Sequence, residues 1–130
     1  MNFKENNPIF QQLAERICDQ ILADKFIADQ RIPSVREYAA TVEVNANTVM
    51  RTYDLLQNQN IIYNRRGIGY FVSPEAKENI RKIKHDSFLN NEIDYFFSQL
   101  YILNIDDNKL VELYQNYRNN LNLTNNEKNN

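Results

Sequence analysis

The chain has only two glycines, Gly67 and Gly69, and both lie between two β-branched and aromatic runs. Ile61 to Tyr63 leads in and Tyr70 to Val72 leads out, with Asn64, Arg65, Arg66 and Ile68 completing the corner. Short runs of this kind around a glycine-bearing corner predict a β-hairpin with a basic tip.

The residues before the hairpin predict helices. Ser34 and Glu37 have the spacing of a capping box, with Pro33 just ahead. Val35, Tyr38, Ala39 and Val42 then form one buried face. Glu43, Val44 and Asn45 make a tight turn, and Asn45 can cap the next helix. Val49, Tyr53 and Leu56 are the buried stripe of that helix. At about 100° per residue, Asn47, Arg51 and Asp54 point away from it. Upstream, Asn7-Pro8 starts a first helix with Ile9, Phe10, Leu13, Ala14, Ile17 and Ile21 on one face. Ala23 to Ile32 reads as a connector. Helix, turn, helix and basic hairpin is the order of a winged helix-turn-helix. In that layout one helix braces, one enters a groove of DNA, and the hairpin tip grips the flank.

Beyond the hairpin, Ser73-Pro74-Glu75 caps a helix whose first half, Ala76 to Asp86, is highly charged. Its second half carries the stripe Leu89, Ile93, Phe96, Phe97, Leu100 and Leu103. Asp106-Asp107 starts a last helix with Leu110, Leu113, Tyr114, Tyr117 and Leu121. Two helices cannot bury two such stripes in a hairpin alone, so pairing with a second copy is expected. The fold class expected is α+β, mostly α. A winged helix-turn-helix domain, residues 1–74, precedes a two-helix dimerisation segment, residues 75–122, and a disordered, asparagine-rich tail, residues 123–130.

With 130 residues, 42% hydrophobic and 25% charged, the chain has room for one or two small globular domains. No stretch approaches the roughly 18 apolar residues of a membrane span. Met1 to Phe10 lacks a basic start followed by an apolar run, so no secretory signal is expected. Cys18 is the single cysteine, which rules out an intrachain disulfide and fits a cytoplasmic setting. The net charge of −2 argues against a broadly basic nucleic-acid surface. Yet residues 1–74 balance eight basic against eight acidic groups, and every basic residue from 31 to 72 is an arginine. Arginine suits bidentate contact with phosphate or guanine, so a focused contact surface is expected, with weak, salt-sensitive non-specific binding.

The run from Arg31 through Pro33, Ser34 and Glu37, the Asn45-Ala46-Asn47-Thr48-Val49 turn, and the hairpin Ile61 to Val72 together resemble the GntR family of bacterial transcription regulators. Pro8 to Leu13 is also similar to the start of that family's DNA-binding domain. The short helical C-terminal part looks like the YtrA subfamily. The resemblance implies that Arg36 lies on a phosphate or guanine, and Ser34 beside it is expected at the DNA as well. Asn45, Asn47 and Thr48 would meet phosphates and base edges. Arg65, Arg66 and Gly67 would lie at the wing tip near the minor groove. Three positions depart from the family pattern. Glu43 and Asp29 stand where glycine is usual, and Met50 stands where an arginine or a small polar residue is common. Arg51, next to Met50, is expected to take over a DNA contact. Its competing reading is a local pair with Asp54 or Glu43.

The expected function is that of a sequence-specific transcription regulator: a homodimeric repressor on an inverted-repeat operator of double-stranded DNA. The expected dimer interface is Leu89, Ile93, Phe96, Phe97, Leu100, Leu103, Leu110, Leu113, Tyr114 and Tyr117. Two alternatives stand beside it: a regulator gated by a small effector at the dimer interface, and an interaction adaptor without DNA binding, motivated by the acidic charge, Glu43 and Met50. No nucleophile–base pair or carboxylate constellation points to catalysis. His85 and Cys18 are far apart in sequence, so no metal or cofactor is expected. Gly67-x-Gly69 is too short for a nucleotide site. Tyr95, Phe96, Phe97, Tyr101, Tyr114 and Tyr117 read as core and dimer contact in preference to a ligand pocket.

Overall fold

In the computed structural model, which describes residues 7–129, helix α1 spans Ile9–Leu22. Leu13, Ala14, Ile17, Cys18 and Ile21 recur at helical spacing and are buried. Pro8 keeps an extended backbone and occupies the cap position itself, so the helix starts after it rather than on it. Its carbonyl accepts the N–H groups of Gln11 and Gln12 at 3.0 and 3.1 Å. Ile9, expected on the buried face, is 56% exposed. The reading of Met1 to Phe10 as lacking a secretory signal falls largely on residues 1–6, outside the described residues.

Helix α2 is Val35–Val42 and α3 is Ala46–Asn58. Between them Glu43 sits in the left-handed region at φ 56°, ψ 48°. There Val44 N–H donates to Ala39 O, closing the end of α2. The stripe Val49, Tyr53 and Leu56 is completely buried, as is Thr52 beside it. Each such aliphatic side chain contributes roughly 1.5–3 kcal/mol of burial. Tyr53 is the hub of the core. Its ring meets those of Tyr38 at 6.2 Å and Tyr70 at 4.9 Å, and its hydroxyl donates to Pro33 O at 2.6 Å. Thr52 Oγ1 lies 2.9 Å from Phe10 O and 3.1 Å from Thr48 O, tying α3 to the start of α1.

The hairpin pairs β1 (Ile62–Arg65) with β2 (Gly69–Val72) antiparallel, in a register from Ile62↔Val72 to Arg65↔Gly69. Both strands reach further into the tip than the apolar runs implied, leaving Arg66, Gly67 and Ile68 as the corner. The connector is not free of the sheet. Asp29 N–H donates to Val72 O, Val72 N–H to Gln30 O, and Ile32 N–H to Tyr70 O. Arg31 pairs with Phe71, so residues 29–32 form a third edge along β2.

Helix α4 is Ala76–Ser87, and its Ala76 and Ile80 are buried in the same core as α1 and α3. This first unit therefore runs through His85, past the boundary expected at residue 74.

The second unit begins at Asp86. Here the single long helix expected from the sequence is interrupted by a π-helical turn, Phe88–Glu92, before α5, Ile93–Ile102. Leu103 caps α5, and Asn104 turns the chain at φ 57°. Asp106 Oδ1 accepts from Lys109 N–H as α6 begins, and α6 spans Asp107–Asn129. Helix thus covers most of the tail expected to be disordered from residue 123. Residue 130 lies outside the described residues. Among the described residues, none from Asp86 to Asn125 is buried.

Candidate nucleic-acid interface

The N-termini of α2 and α3 are both set by side-chain caps. Ser34 Oγ accepts from Glu37 N–H at 3.1 Å. Asn45 Oδ1 accepts from Asn47 N–H at 2.8 Å. Each cap uses an acceptor and leaves a donor: the Ser34 hydroxyl proton and the Asn45 amide NH2 remain available to a phosphate oxygen. Helix N-termini also carry partial positive charge and unpaired N–H groups, which suit anions.

Arg36 is exposed in the first turn of α2, and its side chain makes no hydrogen bond or ion pair among the described residues. Asn47, Met50, Arg51 and Asp54 form the exposed face of α3, opposite Val49, Tyr53 and Leu56. Met50 is central on that face and 41% exposed. Thr48 is half-buried at its edge. Arg51 pairs with neither Asp54 nor Glu43. Its guanidinium lies over the Phe10 ring, 4.1 Å from the centroid, a cation–π contact. This holds the arginine at the α1 side of the reading face while leaving it exposed.

At the wing, Ile68 N–H donates to Arg65 O at 2.9 Å. Gly67 has φ 79° at the third position of this turn, where a type II turn requires a positive angle. Arg66 and Gly67 are exposed at the tip. Arg65 is exposed, its guanidinium 5.5 Å from the Phe71 ring, which stacks on Tyr63 at 5.6 Å. The Tyr63 hydroxyl donates to Asp29 Oδ1 at 2.8 Å. That bond to a carboxylate raises the Tyr63 pKa above its ordinary value.

The sequence reading missed Arg31. Its Nε donates to Ile68 O at 3.2 Å, and its Nη2 lies 3.9 Å from Glu37 Oε1. One side chain thus touches the wing corner and the first turn of α2. The signal lay in Gly69: a Cβ there would stand 2.7 Å from Arg31 Nε.

The expected dimer residues are distributed over the second unit. Leu89 lies in the π-helical turn, and Ile93, Phe96, Phe97 and Leu100 are on α5. Leu103 caps α5, and Leu110, Leu113, Tyr114 and Tyr117 are on α6. Ile93, Leu100 and Leu110 are half-buried and the rest exposed. Among the described residues no group of three or more His, Cys, Asp or Glu side chains could hold a metal ion. No described helix is long and apolar enough to cross a membrane.

A capped brace helix, a capped reading helix with a polar exposed face, and an arginine-tipped hairpin define a winged helix-turn-helix DNA-binding module. The family model of bacterial regulatory proteins, gntR family, matches residues 9–72. The chain belongs to the GntR family of transcription regulators. It is 30% identical over 110 residues to the HTH-type transcriptional regulator YhcF of Bacillus subtilis, covering 85% of this chain and 89% of that one. It is 32% identical over 74 residues to the HTH-type transcriptional repressor YtrA of the same organism, covering 57% of each. Among solved structures, it superposes on a GntR-family regulator from Bacteroides thetaiotaomicron with a TM-score of 0.75 and 46% identity. That match covers 88% of this chain and 99% of the other.

Proposed function

We propose that this regulator is a homodimeric repressor that reads an inverted-repeat operator and has no catalytic role. The observation that carries the reading is Arg36, an exposed arginine in the first turn of α2 whose side chain has no partner among the described residues, beside two capped helix N-termini. Ser34, Arg36 and Asn45 contact phosphates. Asn47, Thr48 and Arg51 enter the major groove, and Arg65, Arg66 and Gly67 follow the minor groove at the flank. Leu89, Ile93, Phe96, Phe97, Leu100, Leu103, Leu110, Leu113, Tyr114 and Tyr117 pair the second unit with its twin. This is supported by a unit that buries no side chain of its own among the described residues. Two-fold pairing places two reading helices on half-sites about one helical turn apart. The protein works in the cytoplasm and represses by covering a promoter; its relative YtrA is a transcriptional repressor by name.

Selection from a random duplex pool tests this. A palindromic consensus, bound by a dimer at moderate salt, is expected. Failure to enrich any sequence, or a monomer in sedimentation at micromolar concentration, would overturn it.

A further inference from the structure

We infer that Arg31 is the positioning residue of the wing, holding the hairpin corner at a fixed angle to α2 so that Arg66 and Gly67 meet DNA already placed. The inference rests on the wing being a DNA contact.

Arg31 is anchored at its backbone and at its side chain. Its backbone pairs with Phe71 on the outer edge of β2. Its Nε then donates to Ile68 O, in the corner beyond the paired strands. Nη2 faces the Glu37 carboxylate at 3.9 Å, on the first turn of α2 that also carries Arg36. The planar fork matters here, because lysine offers one compact charge and cannot reach a corner carbonyl and a carboxylate in two fixed directions. Gly69 makes the close approach of the side chain feasible, since any Cβ would fall 2.7 Å from Nε. Tyr63 and Asp29 form a second tie between the edge segment and β1.

A two-stranded hairpin by itself is mobile, and ordering its tip would weaken DNA binding by the entropy lost on contact. With the corner held, that ordering is present before DNA arrives. Arg31 therefore acts through Arg66 and not on phosphate.

The test is a double-mutant cycle on a duplex selected by the wild-type protein, with hydrogen exchange at the wing amides measured alongside. Arg31→Ala and Arg66→Ala should each weaken binding about tenfold. The double variant should fall little below either single, since coupled residues are not additive. Arg31→Lys should bind as poorly as Arg31→Ala. Without DNA, exchange at the Ile68 amide should speed about tenfold in Arg31→Ala. A loss of about a hundredfold in the double variant, rescue by lysine, or unchanged exchange would each overturn the inference. Arg31→Lys carries the cycle if the alanine variant does not fold. If no duplex can be selected, the DNA-binding reading falls, and the exchange measurement still decides whether Arg31 holds the wing.

Discussion

Replacing Glu43 with glycine should stabilise the protein. Glu43 stands at φ 56°, ψ 48°, where a residue with a Cβ is strained by about 1 kcal/mol. Its carboxylate also lies at the C-terminal end of α2, where negative charge is disfavoured by about 0.3 kcal/mol at an exposed position. Glycine removes both costs but gives the unfolded chain more freedom, which returns about 0.5 kcal/mol. The net gain is about 0.5–1 kcal/mol, or a rise of roughly 3–6 °C in Tm for a domain of this size. Glu43→Ala separates the causes: it removes the charge and keeps the strain, so its Tm should move by only about 1–2 °C. The assay is thermal unfolding followed by circular dichroism, with DNA affinity compared between the two variants. Both should bind alike, because the turn keeps its shape. An alanine variant as stable as the glycine variant would show that charge, not backbone, is the cause. A destabilised glycine variant would show that the turn is not left-handed.

Arg36→Ala should leave Tm within about 1 °C, since the side chain has no partner among the described residues, while specific binding falls at least about tenfold in a gel shift. Retained affinity would remove Arg36 from the interface. Cys18 is buried, and burial pushes its thiol from 9.0 up to about 11. Burial likewise raises Tyr53. A folded pKa above the unfolded one means stability that is complete below pH 9 and lost as pH rises toward 11. Denaturant unfolding at pH 8 to 11 should show this loss. Cys18→Ala should flatten the part between 9 and 11 by on the order of 2 kcal/mol, and an unchanged slope would refute it. Phe97→Asp with Leu100→Asp should yield monomers in sedimentation and weaken operator binding at least about tenfold. A dimer that survives both changes would place the interface elsewhere.

The local chemistry of the first unit was readable because it is written in neighbouring residues. Ser34 and Asn45 cap as their spacing implied, and Val49, Tyr53 and Leu56 are buried as their period required. What escaped is long-range. Residues 29–32 join the sheet through backbone groups, and Ala23 to Ile32 shows no alternation that would announce a strand. Arg51 stacks on Phe10, far away in sequence, where local reading offered only Asp54 or Glu43. Ala76 and Ile80 carry the first core past residue 74, because burial follows the packed face and not the change in charge density. The π-helical turn at Phe88–Glu92 has no compositional mark. Of the candidate site, the exposed polar groups of α2, α3 and the wing tip were legible from period and cap. Arg31 was not, because its role depends on a carbonyl 37 positions away.

The pairing of residues 29–32 with β2 bears on how such regulators can be recombined. The hairpin looks like an exchangeable cassette, a short excursion that could be swapped between relatives to alter flank preference. Its edge and its strut are encoded upstream of α2, in a different stretch of the gene. A chimaera that takes only residues 62–72 inherits a tip without its support. One that also takes residues 29–32 transfers the tip with its support.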